Sequence, residues 1–253
     1  EAMLTGLIEA VRSGRITETR LNESVRKILA WKYQLGLAKQ KITPLDQIDR
    51  IVPGPDVEAL ANEIAVKAIT LVRNDGGVLP LNGNQKIAIL GISNGFDGAT
   101  TMASLVSTLR TSGLRFSSSY LQENSTPDQA AAAQKAVNEA DIVIVGLYGR
   151  VRSGAKNSVG VPENGAIILR DLLKAGKNVI GISFGNPYIL SGFPELRTYI
   201  VAYGDMSSLQ RAAAQSLLGN QRITGRLPIS LPGLYPRGTG IQFNPVPDIR
   251  PEK

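Results

Sequence analysis

The sequence predicts an α/β fold: a doubly wound, mostly parallel sheet with an antiparallel edge strand. Three observations predict it. Ile142-Val-Ile-Val145 is an unbroken apolar, β-branched run, the pattern of a strand buried on both faces. Around it, strand-like runs alternate with helical patterns of about 10 to 15 residues, which implies right-handed βαβ crossovers. At 253 residues and 43% apolar content, the chain has the material for a large covered core. No internal repeat of fixed period is present.

The elements follow in order. Residues 2 to 13 form a predicted helix with an apolar stripe of Met3, Leu4, Leu7, Ile8 and Val11. A second begins near Thr17 or Thr19, repeats Leu21, Val25, Ile28, Leu29 and Tyr33 at helical spacing, and stops at Gly36. A short hairpin cannot hide that much apolar surface by itself, so residues 1–37 are expected to end a domain lying ahead of the chain. Residues 38–55, with Pro44, Pro53 and Pro55, make a polar linker. Asp56 is expected to cap a helix running to about Arg73, with Leu60, Ile64, Ala68 and Leu71 or Val72 inward.

From there to the C-terminus, residues 56–253 are expected to be one α/β domain with an extended tail. The predicted strands are Lys86 to Ile92, Leu114 to Ser118, Asp141 to Leu147, Asn178 to Phe184, Thr198 to Ala202 and Arg226 to Leu231. Pro228 assigns the last of these to a sheet edge. The predicted helices span residues 97–112, 127–140, 163–175 and 207–218, three of them followed by a stop glycine at Gly113, Gly176 or Gly219.

Composition removes whole classes of chemistry. With no Cys there is no disulfide, thiol nucleophile or thiolate metal site. With no His, a Ser-His-Asp triad cannot form, and zinc sites lose their commonest ligand. Neither a cofactor nor a metal is expected. The net charge of +7 is spread without a like-charge run, which argues for a solvated basic surface and against a nucleic-acid partner. No apolar run approaches the roughly 18 residues of a membrane span.

Several motifs lie where an open parallel sheet places ligands, just past the carboxyl ends of its strands. Gly91-Ile-Ser-Asn-Gly-Phe-Asp-Gly98 follows a strand, but its glycine spacing is not the dinucleotide fingerprint, and it reads as a βα loop. After the central strand, the loop from Arg150 carries Arg150, Arg152 and Lys156, with no carboxylate before Glu163. Those cations and Ser153 can hold a polar ligand, or simply solvate a surface loop. Gly185-Asn-Pro-Tyr188 is a rigid turn able to present Asn186. Glu163 reads as a first-turn residue complementing its helix dipole, and Asp205 as the N-cap of the next helix.

Several segments, in order, resemble the C-terminal region of glycoside hydrolase family 3. Gly14-Arg-Ile-Thr17, Leu21-Asn-Glu-Ser-Val-Arg-Lys-Ile-Leu29 and Leu35-Gly-Leu37 are similar to the end of that family's TIM barrel. Ala65 to Asp75, Val78-Leu-Pro-Leu81 and Lys86 to Gly91 are similar to the entry into its α/β sandwich. Phe184-Gly-Asn-Pro-Tyr188, Leu217-Leu-Gly219 and Thr224-Gly-Arg-Leu-Pro-Ile-Ser230 are similar to its closing half.

The resemblance implies a parent that cleaves β-linked sugars with retention, using a barrel Asp that precedes residue 1. It makes residues 1–37 the last helices of that barrel, with the barrel domain and a carbohydrate substrate as partners. β-Glucosidase members take their acid/base Glu from a sandwich loop matching Arg150 to Ser158, where this sequence has no carboxylate. β-N-Acetylglucosaminidase-like members instead use a His-Asp pair on a barrel loop, which this sequence fits better. The expected role is therefore a supporting domain without catalytic residues, with Arg150, Arg152, Ser153, Lys156 and Asn186 as substrate contacts. A β-glucosidase-type domain and a stand-alone carbohydrate-binding module are the competing readings. A periplasmic or extracellular parent is the favoured location.

Overall fold

The computed structural model describes every residue except 43, 49–51, 53, 82–83, 96, 152, 155–158 and 245–253. The chain divides into two compact units, Glu1–Gly54 and Pro55–Lys253.

The first unit is a helical pair, α1 (Ala2–Arg12) and α2 (Glu18–Gln34). Thr17 caps α2 by accepting the Arg20 N–H at 3.2 Å. The apolar stripes predicted for both helices are present, yet α2 buries no residue and α1 buries Ala10 alone. A single helical turn, Leu45–Gln47, interrupts the connector that follows.

The second unit is the sheet domain. Its six strands are β1 (Thr70–Asn74), β2 (Ile87–Ser93), β3 (Phe116–Gln122), β4 (Ile142–Tyr148), β5 (Asn178–Ser183) and β6 (Thr198–Val201). They lie in the order β1-β6-β5-β4-β2-β3. All neighbours are parallel except β1 with β6. The sheet is thus mostly parallel with an antiparallel edge, as the patterning predicts. The helices are α3 (Pro55–Ala68), α4 (Ala103–Thr111), α5 (Pro127–Asn138), α6 (Glu163–Lys174) and α7 (Ser207–Leu217).

β4 shows why the chain folds this way. All seven of its positions are buried. Successive side chains point to opposite faces of a strand, so Ile142, Ile144 and Tyr148 enter one core while Val143, Val145 and Leu147 enter the other. The first core is closed by Leu105 and Leu109 of α4 and by Leu209, Ala213 and Leu217 of α7. The second is closed by Val137 of α5 and by Ile168, Leu169 and Leu172 of α6. Each Val, Leu or Ile side chain among them contributes about 1.5–3 kcal/mol by leaving water.

Several boundaries differ from the predicted ones. α3 ends at Ala68, and Thr70 to Asn74 form a strand rather than the last helical turns. Asp56 lies inside the first turn of α3, not at its cap. Leu60 and Ile64 are each 57% exposed, and Ala65 is the position α3 buries. β1, not Arg226 to Leu231, is the antiparallel edge. The latter stretch is irregular apart from a bridge between Leu231 and Tyr235, because Pro228 and Pro232 remove ladder donors. β3 lies further along the chain than Leu114 to Ser118, and the helix predicted over 97–112 splits into a 3-10 segment, Gly98–Met102, followed by α4.

Candidate functional site

The chain passes from β2 to β3 on one side and returns through α5 to β4 on the other side of β2. The winding therefore reverses between β2 and β4, which is where open α/β sheets form a ligand crevice at their carboxyl edge. The two strands are in register there, Ser93 opposite Tyr148.

Asn94, fully buried just past β2, closes this point. Its Oδ1 accepts the Arg150 N–H at 3.0 Å and its Nδ2 donates to the Arg150 carbonyl at 2.8 Å. One amide side chain thus satisfies both backbone groups of the residue that opens the basic loop.

The Arg150 side chain gathers two more loops. Its Nε donates to Asp205 Oδ2 at 2.7 Å and its Nη2 lies 2.5 Å from the same oxygen, while Nη1 pairs with Asp97. Asp97 follows β2 and Asp205 follows β6, so one guanidinium ties together loops from three strands. The hydrogen bond to Asp205 is the main reason the Arg150 pKa is raised; burial opposes it, and the charge of Asp97 adds to it. Among the described residues, two carboxylates face this one cation. A phosphate placed there meets Asp97, which weighs against a nucleotide site.

Gln210 of α7 anchors the same region from beneath. Buried among apolar neighbours, it accepts the Leu105 N–H at 3.0 Å and donates to the carbonyls of Thr101 and Asp205 at 2.8 and 2.6 Å. The predicted capping role of Asp205 is not what the fold uses: Met206 is the cap residue of α7. The loops after β4 and β5 also touch at backbone level. A Cβ at Gly185 would collide with the Gly149 carbonyl oxygen, so only glycine fits that crossing.

Of the predicted contacts, Arg150 lies at the crevice, held by carboxylates rather than free to clamp an anion. Ser153 is exposed on a turn. Arg152 and Lys156 lie outside the described residues. Asn186 stands apart, after β5, where its Oδ1 accepts the Tyr188 N–H at 2.9 Å and caps the 3-10 helix Pro187–Gly192. Glu163 occupies the first turn of α6 as predicted, and its Oε1 accepts from Arg170 Nη1 at 2.9 Å. Among the described residues, no group of three or more acidic, His or Cys side chains gathers to hold a metal. No helix among them is long and apolar enough to cross a membrane.

Asn94 and Gln210 were not singled out by sequence reasoning. Gln210 left a usable signal, a lone amide on the stripe of Leu209, Ala213 and Leu217. Asn94 left none beyond its place after a strand.

The family described as glycosyl hydrolase family 3 C-terminal domain matches residues 69–241. A Cellulomonas fimi protein named beta-N-acetylglucosaminidase/beta-glucosidase is 28% identical over 233 residues, covering 87% of this chain and 40% of its own length. Thermostable beta-glucosidase B of Acetivibrio thermocellus is 23% identical over 248 residues, covering 89% of this chain and 32% of its own length. The chain therefore spans well under half of these relatives. Among solved structures, a family 3 beta-N-acetylglucosaminidase from Paenibacillus sp. str. FPU-7 shares the fold, with a TM-score of 0.68 at 24% identity over 88% of this chain and 41% of that one. The beta-glucoside phosphorylase BglX, bound to 2FGlc, gives 0.67 at 26% identity over 87% and 40%.

Proposed function

The chain belongs to the C-terminal domain family of the family 3 glycosyl hydrolases, and from that premise we propose that it is the non-catalytic domain of a retaining enzyme acting on β-N-acetylhexosaminides. In this reading residues 1–37 complete a barrel that carries the nucleophile and the acid/base. Residues 56–253 pack on that barrel and line its outer sugar subsites, with Arg150, Arg152, Ser153, Lys156 and Asn186 as contacts.

One observation carries the reading. Asp97 and Asp205, which follow β2 and β6, are both engaged by Arg150. Retaining hydrolysis needs one carboxyl to attack the sugar and another to hand a proton to the leaving oxygen. A general acid must come within hydrogen-bond reach of the leaving oxygen, and the carboxyls of Asp97 and Asp205 are instead held against the Arg150 guanidinium. The loop Arg150 to Ser158 supplies no replacement, and Glu163 is engaged by Arg170. These contacts support leaving the acid/base work to the barrel, as the resemblance to β-N-acetylglucosaminidase-like members implies.

The test is the longer protein. Its kcat/KM on nitrophenyl β-N-acetylglucosaminide is expected to exceed that on nitrophenyl β-glucoside. Asp97→Asn, Asp205→Asn and Glu163→Gln are each expected to keep kcat within about tenfold. Loss of about 10³-fold or more on removing any one carboxyl would assign it to the reaction and overturn the reading. A strong preference for the glucoside would favour the β-glucosidase alternative, which the name of the Acetivibrio thermocellus relative supports.

A further inference from the structure

A groove of about 330 Å³ runs between the first turns of α6 and the 3-10 helix Pro187–Gly192. We propose that this groove binds a pyranose ring of a neutral, β-linked oligosaccharide, and that the chain does so without any other domain. Only the choice of ligand class rests on the function proposed above.

Three features of the lining select that ligand. First, the surface is amphipathic. Phe193 and Ile189 are buried at the groove, while Tyr188 is 45% exposed. A half-exposed aromatic beside buried apolar groups offers a face for the C–H side of a sugar ring. Second, the polar groups are held in place before any ligand arrives. Arg170 is fixed by Glu163 at 2.9 Å and lies over the Phe193 ring at 5.8 Å. It keeps further N–H donors, Glu163 keeps a second acceptor oxygen, and Asn186 keeps its Nδ2 donors after spending Oδ1 on Tyr188. Donors and acceptors side by side suit ring hydroxyls, each of which both gives and takes a hydrogen bond. Third, Glu163 and Arg170 cancel in charge and Asn186 is neutral, so the lining attracts neither anions nor cations. The groove is open to solvent and sits at the small end of the range for ligand sites, about 300–1,000 Å³. That fits one stretch of a longer chain better than an engulfed small molecule.

The experiment uses the 253-residue chain, isotopically labelled, titrated with triacetylchitotriose, cellotriose and trigalacturonate under NMR. Saturable shifts are expected for the amides of Arg170, Tyr188 and Phe193 with one or both neutral trisaccharides, and weaker binding of the anionic one. Tyr188→Ala, a change at a half-exposed position, is expected to weaken the neutral ligand by about tenfold or more. Arg170→Gln is expected to weaken it less, with both variants keeping the parent melting curve. No saturable shift with either neutral sugar, equal or tighter binding of the anion, or unchanged affinity in Tyr188→Ala would each overturn the proposal. Glucoside preference by the longer enzyme, with this binding intact, would overturn only the hexosaminide reading.

Discussion

β4 and α2 are built from similar material and meet opposite fates. β4 presents Ile142, Val143, Ile144, Val145 and Leu147, and every one is buried between two layers of helix. α2 presents Leu21, Val25, Ile28, Leu29 and Trp31, and all are exposed, Trp31 by 69%. Apolar periodicity marks the face a segment offers, whereas burial requires a partner within the folded unit. The sheet domain supplies its own partners. The helical pair has the amphipathic pattern of a segment made to pack and does not bury it.

The sharpest way to break this contrast is to cut the core. Ile144→Ala removes three carbons from a fully buried site and is expected to lower stability by about 2–5 kcal/mol in urea unfolding. A loss below 1 kcal/mol would mean that the sheet domain is far looser than its packing implies. A second probe uses pH. Burial raises the pKa of the Tyr148 and Tyr199 hydroxyls above the ordinary 10.0. A group that binds its proton more tightly when folded stabilises fully below its unfolded pKa and less as pH rises through the folded one. Stability is therefore expected to hold below pH 10 and then fall by up to about 1.4 kcal/mol per pH unit for each hydroxyl. Phenolate absorbance that rises normally while the fold is intact would contradict the burial.

Arg150→Met sharpens the contrast at the domain's edge. It leaves Asp97 and Asp205 facing each other without their cation, but the cluster is partly solvated, with the Arg150 side chain 45% exposed. The expected loss is about 1 kcal/mol, shrinking in high salt. The smallest effect belongs to the helical pair. Leu29→Ser on α2 is expected to change the unfolding free energy by no more than about 0.5 kcal/mol. A loss comparable to Ile144→Ala would show that α2 is buried in solution.

The strands legible in the sequence are those whose neighbours merely repeat their own pattern. β4 was legible because a strand covered on both faces must be apolar throughout, and Ile142 to Val145 has no helical alternative. β1 was not, because Leu71 and Val72 continue the helical spacing of α3, and five residues are too few to reveal a change of period. Leu60 and Ile64 differ for a related reason: their spacing defines a stripe, but the face that α3 buries is the small Ala65 side. The candidate site was half legible. Arg150 is recognisable as opening the loop after the central strand, and Glu163 as a first-turn residue. That Asp97 and Asp205 converge on one guanidinium is a property of strand order, and 53 and 55 residues of chain separate them from Arg150. Local reasoning could only give Asp205 the local role of a cap.

In the reading proposed above, these residues form the C-terminal α/β domain of a family 3 glycosyl hydrolase and hold none of its bond-breaking groups. The direct measurement is release of nitrophenol by the purified 253-residue chain from the β-N-acetylglucosaminide and the β-glucoside. No rate above the uncatalysed blank is expected with either. Saturable turnover that disappears in Asp97→Asn, Asp205→Asn or Glu163→Gln would contradict the claim and place a working carboxyl inside this domain.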